Sequence, residues 1–161
     1  MTIHTPPENP GELTQFIEIR YHAKHRAELP ALAALAEKVE SVHRDDAHVP
    51  AGLAALLRRM TGELEVHMKK EELILFPAMR NALAGLDSPI IAMRRDHDDH
   101  TDELATIKRL TNNLTLPQDA CGSWTRLYSD LSEFVNDLEE HIRLENDVLF
   151  PYFERANTGN T

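Results

Sequence analysis

Apolar residues recur every three or four positions along most of the chain, the spacing of amphipathic helices with one buried face. The pattern sets in at Glu12 and holds to about His43. Pro30 lies inside it, where a missing backbone donor predicts a kink. The segment HRDDAHVP, 43 to 50, predicts a loop, with Pro50 placed as the first residue of a second helix that runs to about Leu83. Gly85 and Asp87 interrupt the pattern. Ser88 then Pro89 predict an N-cap and first turn, and the third helix reaches about Leu110. Asn112, Asn113 and Pro117 mark the next loop, and a last helix is expected from near Pro117 to about Arg155. No stretch sustains period-two alternation, so no sheet is expected. Four helices on short connections predict an all-α, up-down-up-down four-helix bundle.

The chain repeats itself. HMKKEELILFP, 67 to 77, matches HIRLENDVLFP, 141 to 151: each has a His, a Glu four residues on, then Leu-Phe-Pro. Upstream, HAKH at 22 to 25 matches HDDH at 97 to 100 at nearly the same offset. Two duplicate hairpins facing each other predict a pseudo-two-fold bundle. On a helix, residues i and i+4 share a face, so His67 and Glu71 point one way, as do His141 and Glu145.

Those polar residues interrupt apolar stripes. They read Ile19, His22, Leu29 in the first helix and Leu64, His67, Glu71, Ile74 or Leu75, Ala78 in the second. In the third the stripe is Ile90, Met93, His97, Leu104, Ile107, and in the fourth Phe134, Leu138, His141, Glu145, Val148 or Leu149, Tyr152. Four histidines and two glutamates thus fall on core faces. An isolated buried carboxylate costs several kcal/mol or more unless paired or ligated. A shared metal site accounts for His22, His67, Glu71, His97, His141 and Glu145 together. Imidazole with carboxylate suits iron, and a carboxylate can bridge two irons. A single His-x-x-x-Glu is an ordinary surface pair; the duplication carries the argument. His25 and His100 lie near the same face and are expected to be non-ligands. His4, His43 and His48 are expected in solvent, and Cys121, at the start of the last helix, as a buried inert thiol.

Composition narrows the partners. The formal net charge of −10 argues against nucleic acid or an anionic membrane, which need a basic face. No apolar run approaches a transmembrane length. The opening MTIHTPPENPGEL has neither a basic start nor an apolar core, so it is not a secretory signal. A single cysteine fits a cytoplasmic location. Residues 1–11 are expected as a flexible arm, 12–155 as the metal domain and 156–161 as a flexible tail.

The strings RYHAKHRAELP, HMKKEELILFPAM, RRDHDDH and HIRLENDVLFP resemble the hemerythrin-like domain of the iron–sulfur cluster repair di-iron family, from about Glu12 to Phe153. The resemblance implies two irons, oxo- or hydroxo-bridged, held by His22, His67, His97 and His141 with Glu71 and Glu145 as bridges. It implies a role in nitrosative and oxidative stress, with nitric oxide binding or reduction. Its implied partners are nitric oxide or oxygen, damaged iron–sulfur proteins and an electron donor. Members commonly carry an N-terminal Cys-Cys domain, which this sequence does not contain. Two six-coordinate irons offer about twelve positions, and this ligand set leaves about one open on each. An oxygen carrier of the hemerythrin type has a fifth histidine, so a ligand role for His25 or His100 would favour oxygen binding or sensing. Iron donation or storage is a third reading.

Overall fold

The computed structural model describes residues 5–154. Four long helical rods carry the described residues, and none of these residues is in a strand. We call α1 the rod 10–42, made of Pro10–Ile17, Glu18–His22 and Ala23–Val42. Rod α2, 53–80, joins Leu53–Lys70, Glu71–Leu75 and Phe76–Arg80. Rod α3 is Asp87–Leu110. Rod α4, 122–152, joins Gly122–Arg143, Leu144–Leu149 and Phe150–Tyr152.

Side-chain contacts fix the rods as antiparallel neighbours. Glu40 near the end of α1 accepts from Gly52 N and Ala54 N at the start of α2, while Arg80 at the end of α2 donates to Thr14 and Glu18. Along α2 and α3, His67 meets Asp96 and Arg59 meets Glu103. Arg94 early in α3 reaches Asn146 near the far end of α4 and Glu154 just beyond it. His25 meets His141, and His43 meets Cys121 at the opposite end of the α1–α4 pair. The topology is therefore up-down-up-down, as expected.

The rod ends differ from the sequence reading where local caps decide. Asn9 Oδ1 accepts from Glu12 N at 2.9 Å, so α1 begins at Pro10, inside the expected arm. Pro50 does not start α2. A turn ending in Gly52, at φ 93°, intervenes, a conformation that glycine adopts without penalty. Helix α2 ends at Arg80, short of Leu83, and α3 starts at Asp87 with Leu86 in the cap position expected for Ser88. Pro117–Ala120 forms a turn, and Cys121 in extended conformation caps α4, so that rod starts at Gly122. The helix continues through Pro30 as one element, Ala23–Val42, although Pro30 has no N–H to give to the ladder. Arg155, the tail and His4 lie outside the described residues.

Three of the four rods contain a π-helical turn: Glu18–His22, Glu71–Leu75 and Leu144–Leu149. All three fall at one level of the bundle. That level separates two apolar clusters. The larger one includes Leu57, Met60, Leu64, Trp124, Leu131, Phe134 and Leu138. The smaller joins Leu13, Ile17, Phe76, Met79, Ile90, Met93, Leu149 and Phe150 at the other end. A π turn inserts one residue into the helix and rotates everything after it. The buried set accordingly shifts: Ile17 and Tyr21 are buried while Ile19 is 77% exposed, and Leu75 is buried while Ile74 is 67% exposed. Tyr152, expected on the core stripe, is 53% exposed; Leu149 and Phe150 fill the core instead.

Candidate metal centre

The layer between the two apolar clusters holds all six residues singled out by the repeat. His22, His67, Glu71, His97, His141 and Glu145 are each 2% exposed or less. They fall into two groups of four. His22, Glu71, His141 and Glu145 bring one donor atom each within 4.8 Å of one another, and so do His67, Glu71, His97 and Glu145. Glu71 and Glu145 belong to both groups. Glu71 faces His22 with Oε1 at 3.1 Å and His67 with Oε2 at 3.3 Å. Glu145 faces His97 with Oε1 at 2.7 Å and His141 with Oε2 at 2.9 Å. Each carboxylate therefore spans two imidazole pairs, the placement a bridging ligand needs.

In all four histidines Nε2 points inward, and the other ring nitrogen is held from outside. His22 Nδ1 donates to Glu72 at 2.7 Å, His67 Nδ1 to Asp96 at 3.0 Å and His97 Nδ1 to Asn146 Oδ1 at 2.7 Å. His141 Nδ1 meets His25 Nε2 at 3.1 Å. Such contacts fix the tautomer that leaves Nε2 free as a metal donor. Arg26 clamps Glu72 through two nitrogens, at 2.7 and 2.9 Å, so the carboxylate behind His22 is itself positioned. Phe76 stacks on His22 with ring planes 11° apart, and Phe150 stacks on His97 at 4°.

Protein contacts alone do not satisfy this cluster. His67 Nε2, His97 Nε2, Glu71 Oε2 and Glu145 Oε1 are buried and lack an aligned hydrogen-bond partner, though two of their separations are 2.7 and 3.3 Å. Such orphaned donor atoms, converging in the buried interior, fit a cation. Without a cation the cluster shares its protons unevenly. Burial, then the neighbouring Glu145, pushes the Glu71 carboxyl well above the usual carboxylate range. Burial also pushes Glu145 up, but His141, His67 and His97 hold it well below. Burial, then His141, lowers His22 to about 4, and burial lowers His141. Burial would lower His67 too, yet Glu71 and Asp96 hold it well above its ordinary value. A cation that displaced the protons favoured on Glu71 and His67 would meet four imidazoles and two carboxylates, a donor set for borderline divalent metals.

The remaining histidines separate. His25 is fully buried and contacts the outer nitrogen of His141, but is not itself a member of either four-residue group. His100 is buried and pairs with Glu103 at 3.0 Å. His43 is half-buried, not solvated; its Nε2 lies 3.1 Å from the half-buried Cys121 Sγ and its ring 4.9 Å from Trp124. His48 is exposed, as expected. The outer partners Glu72, Asp96 and Asn146 escaped the sequence reading. Glu72 and Asn146 directly follow the two repeated glutamates, so the duplication marked their positions.

No helix among the described residues is long and apolar enough to cross a membrane. The family model of the hemerythrin HHE cation-binding domain matches residues 17–153. The chain is 46% identical over 142 residues to an iron-sulfur cluster repair protein YtfE of Musicola paradisiaca, covering 88% of this chain and 64% of that protein. It is 48% identical over 140 residues to one of Yersinia pseudotuberculosis, covering 86% of this chain and 63% of that protein. A probable iron-sulfur cluster repair protein of Haemophilus influenzae is 46% identical over 142 residues. The chain thus spans less than two thirds of the length of the first two relatives. The two-fold His and Glu cluster and the match over 17–153 lead to one conclusion: the chain belongs to the hemerythrin HHE cation-binding domain family.

Proposed function

We propose that this domain holds two iron ions, with His22 and His141 on one, His67 and His97 on the other, and Glu71 and Glu145 bridging. The observation that carries this reading is that both carboxylates face both histidine pairs. We further infer a cytoplasmic protein of the nitrosative and oxidative stress response, in which the reduced centre captures nitric oxide in support of iron–sulfur cluster repair. The names of the relatives support the repair role. Bound iron supplies about one open coordination position and one electron per metal. The chain's own residues do the rest. Glu72, Asp96, Asn146 and His25 hold the four rings in register, while Phe76 and Phe150 cover His22 and His97 on the side of the smaller apolar cluster.

The oxygen-carrier reading requires a fifth histidine ligand. His25 and His100 contact His141 and Glu103 through one ring nitrogen each, and neither belongs to the two shared groups. The discriminating experiment titrates the reduced, iron-loaded protein anaerobically with nitric oxide and exposes a second sample to air. Saturable spectral changes near two nitric oxide molecules per chain, with air producing an oxidised form that does not release oxygen, are expected. An oxygenated form that returns to the reduced state under vacuum would overturn the nitric oxide reading.

A further inference from the structure

A cavity of about 810 Å³ opens beside the α2–α3 pair, and its wall includes His67, Asp96, His100, Glu63 and Glu103. Five carboxylates line it against three basic groups, so it is net acidic. It also touches the outer side of the paired centre, because Asp96 is the residue that holds His67 Nδ1.

Within this wall, Glu63, His100 and Glu103 bring one donor atom each within 4.8 Å of one another. His100 is only 3% exposed; Nδ1 lies 3.0 Å from Glu103 Oε1, and Nε2 is buried with no hydrogen-bond partner. Glu103 is 8% exposed. Glu63 stands at the solvent side, its side chain 44% exposed. The Glu103 carboxyl close beside it, then burial, raises Glu63 to about 7. Two carboxyls this close beside a buried imidazole with an unpartnered nitrogen are a set that favours uptake of a positive charge, which a cation can supply. The guanidinium beside them is loosely placed. Arg59 Nε stands 3.7 Å from Glu63 and 3.6 Å from Glu103, on a side chain 60% exposed.

We propose that Glu63, His100 and Glu103 form a second, exchangeable site for a divalent cation, a station through which metal reaches or leaves the paired centre. One imidazole and two carboxylates suit borderline divalent ions such as Fe²⁺, Mn²⁺ or Co²⁺ rather than soft ones. Three protein donors, one of them partly in solvent, make the site weaker than either shared group of four. The transit role rests on the paired centre holding metal; the existence of the second site does not.

The test is anaerobic equilibrium dialysis of the full chain against Co²⁺, with metal counted per chain, for the wild type, Glu63→Ala and Glu103→Gln. Circular dichroism confirms the fold of each variant. Both variants are expected to lose one equivalent relative to the wild type, and Arg59→Ala to bind that equivalent more tightly. If Glu103→Gln does not fold, the partly exposed Glu63→Ala decides. Equal metal content in the wild type and Glu63→Ala overturns the second site. Failure of the paired-centre reading would look different: the total would fall in both proteins while their difference of one equivalent persisted.

Discussion

The two hairpins, α1–α2 and α3–α4, solve the same problem with parts that are half shared and half different. In each, the Phe of Leu-Phe-Pro stacks on the upstream His of its own hairpin, Phe76 on His22 and Phe150 on His97. In each, the residue after the bridging-position Glu takes that same His by Nδ1: Glu72 for His22 and Asn146 for His97. The second His of each hairpin breaks the symmetry. His67 is held by Asp96, whose counterpart in the repeat, Tyr21, stacks on His141 with ring planes 14° apart. His141 is held by His25, whose counterpart, His100, pairs with Glu103. The inward-facing donors are thus constrained by the cation they share, while the outer partners need only present a hydrogen-bonding group at the right distance. The outcome is still balanced, since each half of the centre has one histidine backed by a carboxylate and one backed by a neutral group.

The largest effect should come from the residues common to both halves. Glu71→Ala and Glu145→Ala are each expected to release both cations, whereas His22→Ala releases one, as metal analysis of the purified variants would report. Retention of both cations by Glu145→Ala would mean that it does not bridge. The unequal outer partners give the next test. His25→Ala and Asp96→Ala are expected to weaken cation binding at the paired centre about 10- to 100-fold, while His100→Ala leaves that affinity unchanged. Equal losses in His25→Ala and His100→Ala would show that the symmetry is functional after all.

Metal-free protein should be sensitive to mild acid. Burial, then His141, holds His22 at about 4 against an ordinary 6.5, so the unfolded chain takes up that proton first. Its contribution to stability is full above about 6.5 and is lost as pH falls toward about 4. Burial moves His25 and His141 in the same direction. His67 works the other way, full below the usual imidazole range and fading as pH rises through its elevated value. The raised Glu71 and Glu63 carboxyls act with His67, so they oppose the three histidines near neutral pH and fade as the unfolded carboxylates take up protons near their ordinary value. The urea midpoint of metal-free protein is expected to drop as the pH falls from about 6 to about 4.5; a rise would mean that His67, Glu71 and Glu63 dominate. The smallest effect contrasts two rod starts. Asn9→Ala removes an oxygen cap and should cost about 1 kcal/mol, whereas Cys121→Ala removes a weaker sulfur cap, 3.4 Å from Trp124 N, and should cost less in thermal unfolding.

The bundle and its six inward residues were legible because both signals are periodic. Helical spacing fixes the faces, and duplication marks which polar residues matter. What escaped lies where the period changes. The π turns at Glu18–His22 and Glu71–Leu75 rotate the helix by an extra residue. A uniform 3.6-residue pattern therefore placed Ile19 inside and left Ile74 and Leu75 undecided, whereas Ile17, Tyr21, Leu75 and Phe76 are buried. Asp96 and Asn146 also escaped, because a short polar residue beside a ligand carries no periodic signature of its own. The start of α4 was misplaced because Pro117 fits a helix N-terminus and a turn equally well; the extended backbone of Cys121 settles it.

The central claim is that Glu71 and Glu145 join two metals into one centre. Mössbauer spectroscopy with iron analysis, on protein purified from iron-replete cells, tests it most directly. About two irons per chain are expected, magnetically coupled in the oxidised state. One iron per chain, or two that behave as isolated ions, would contradict the account.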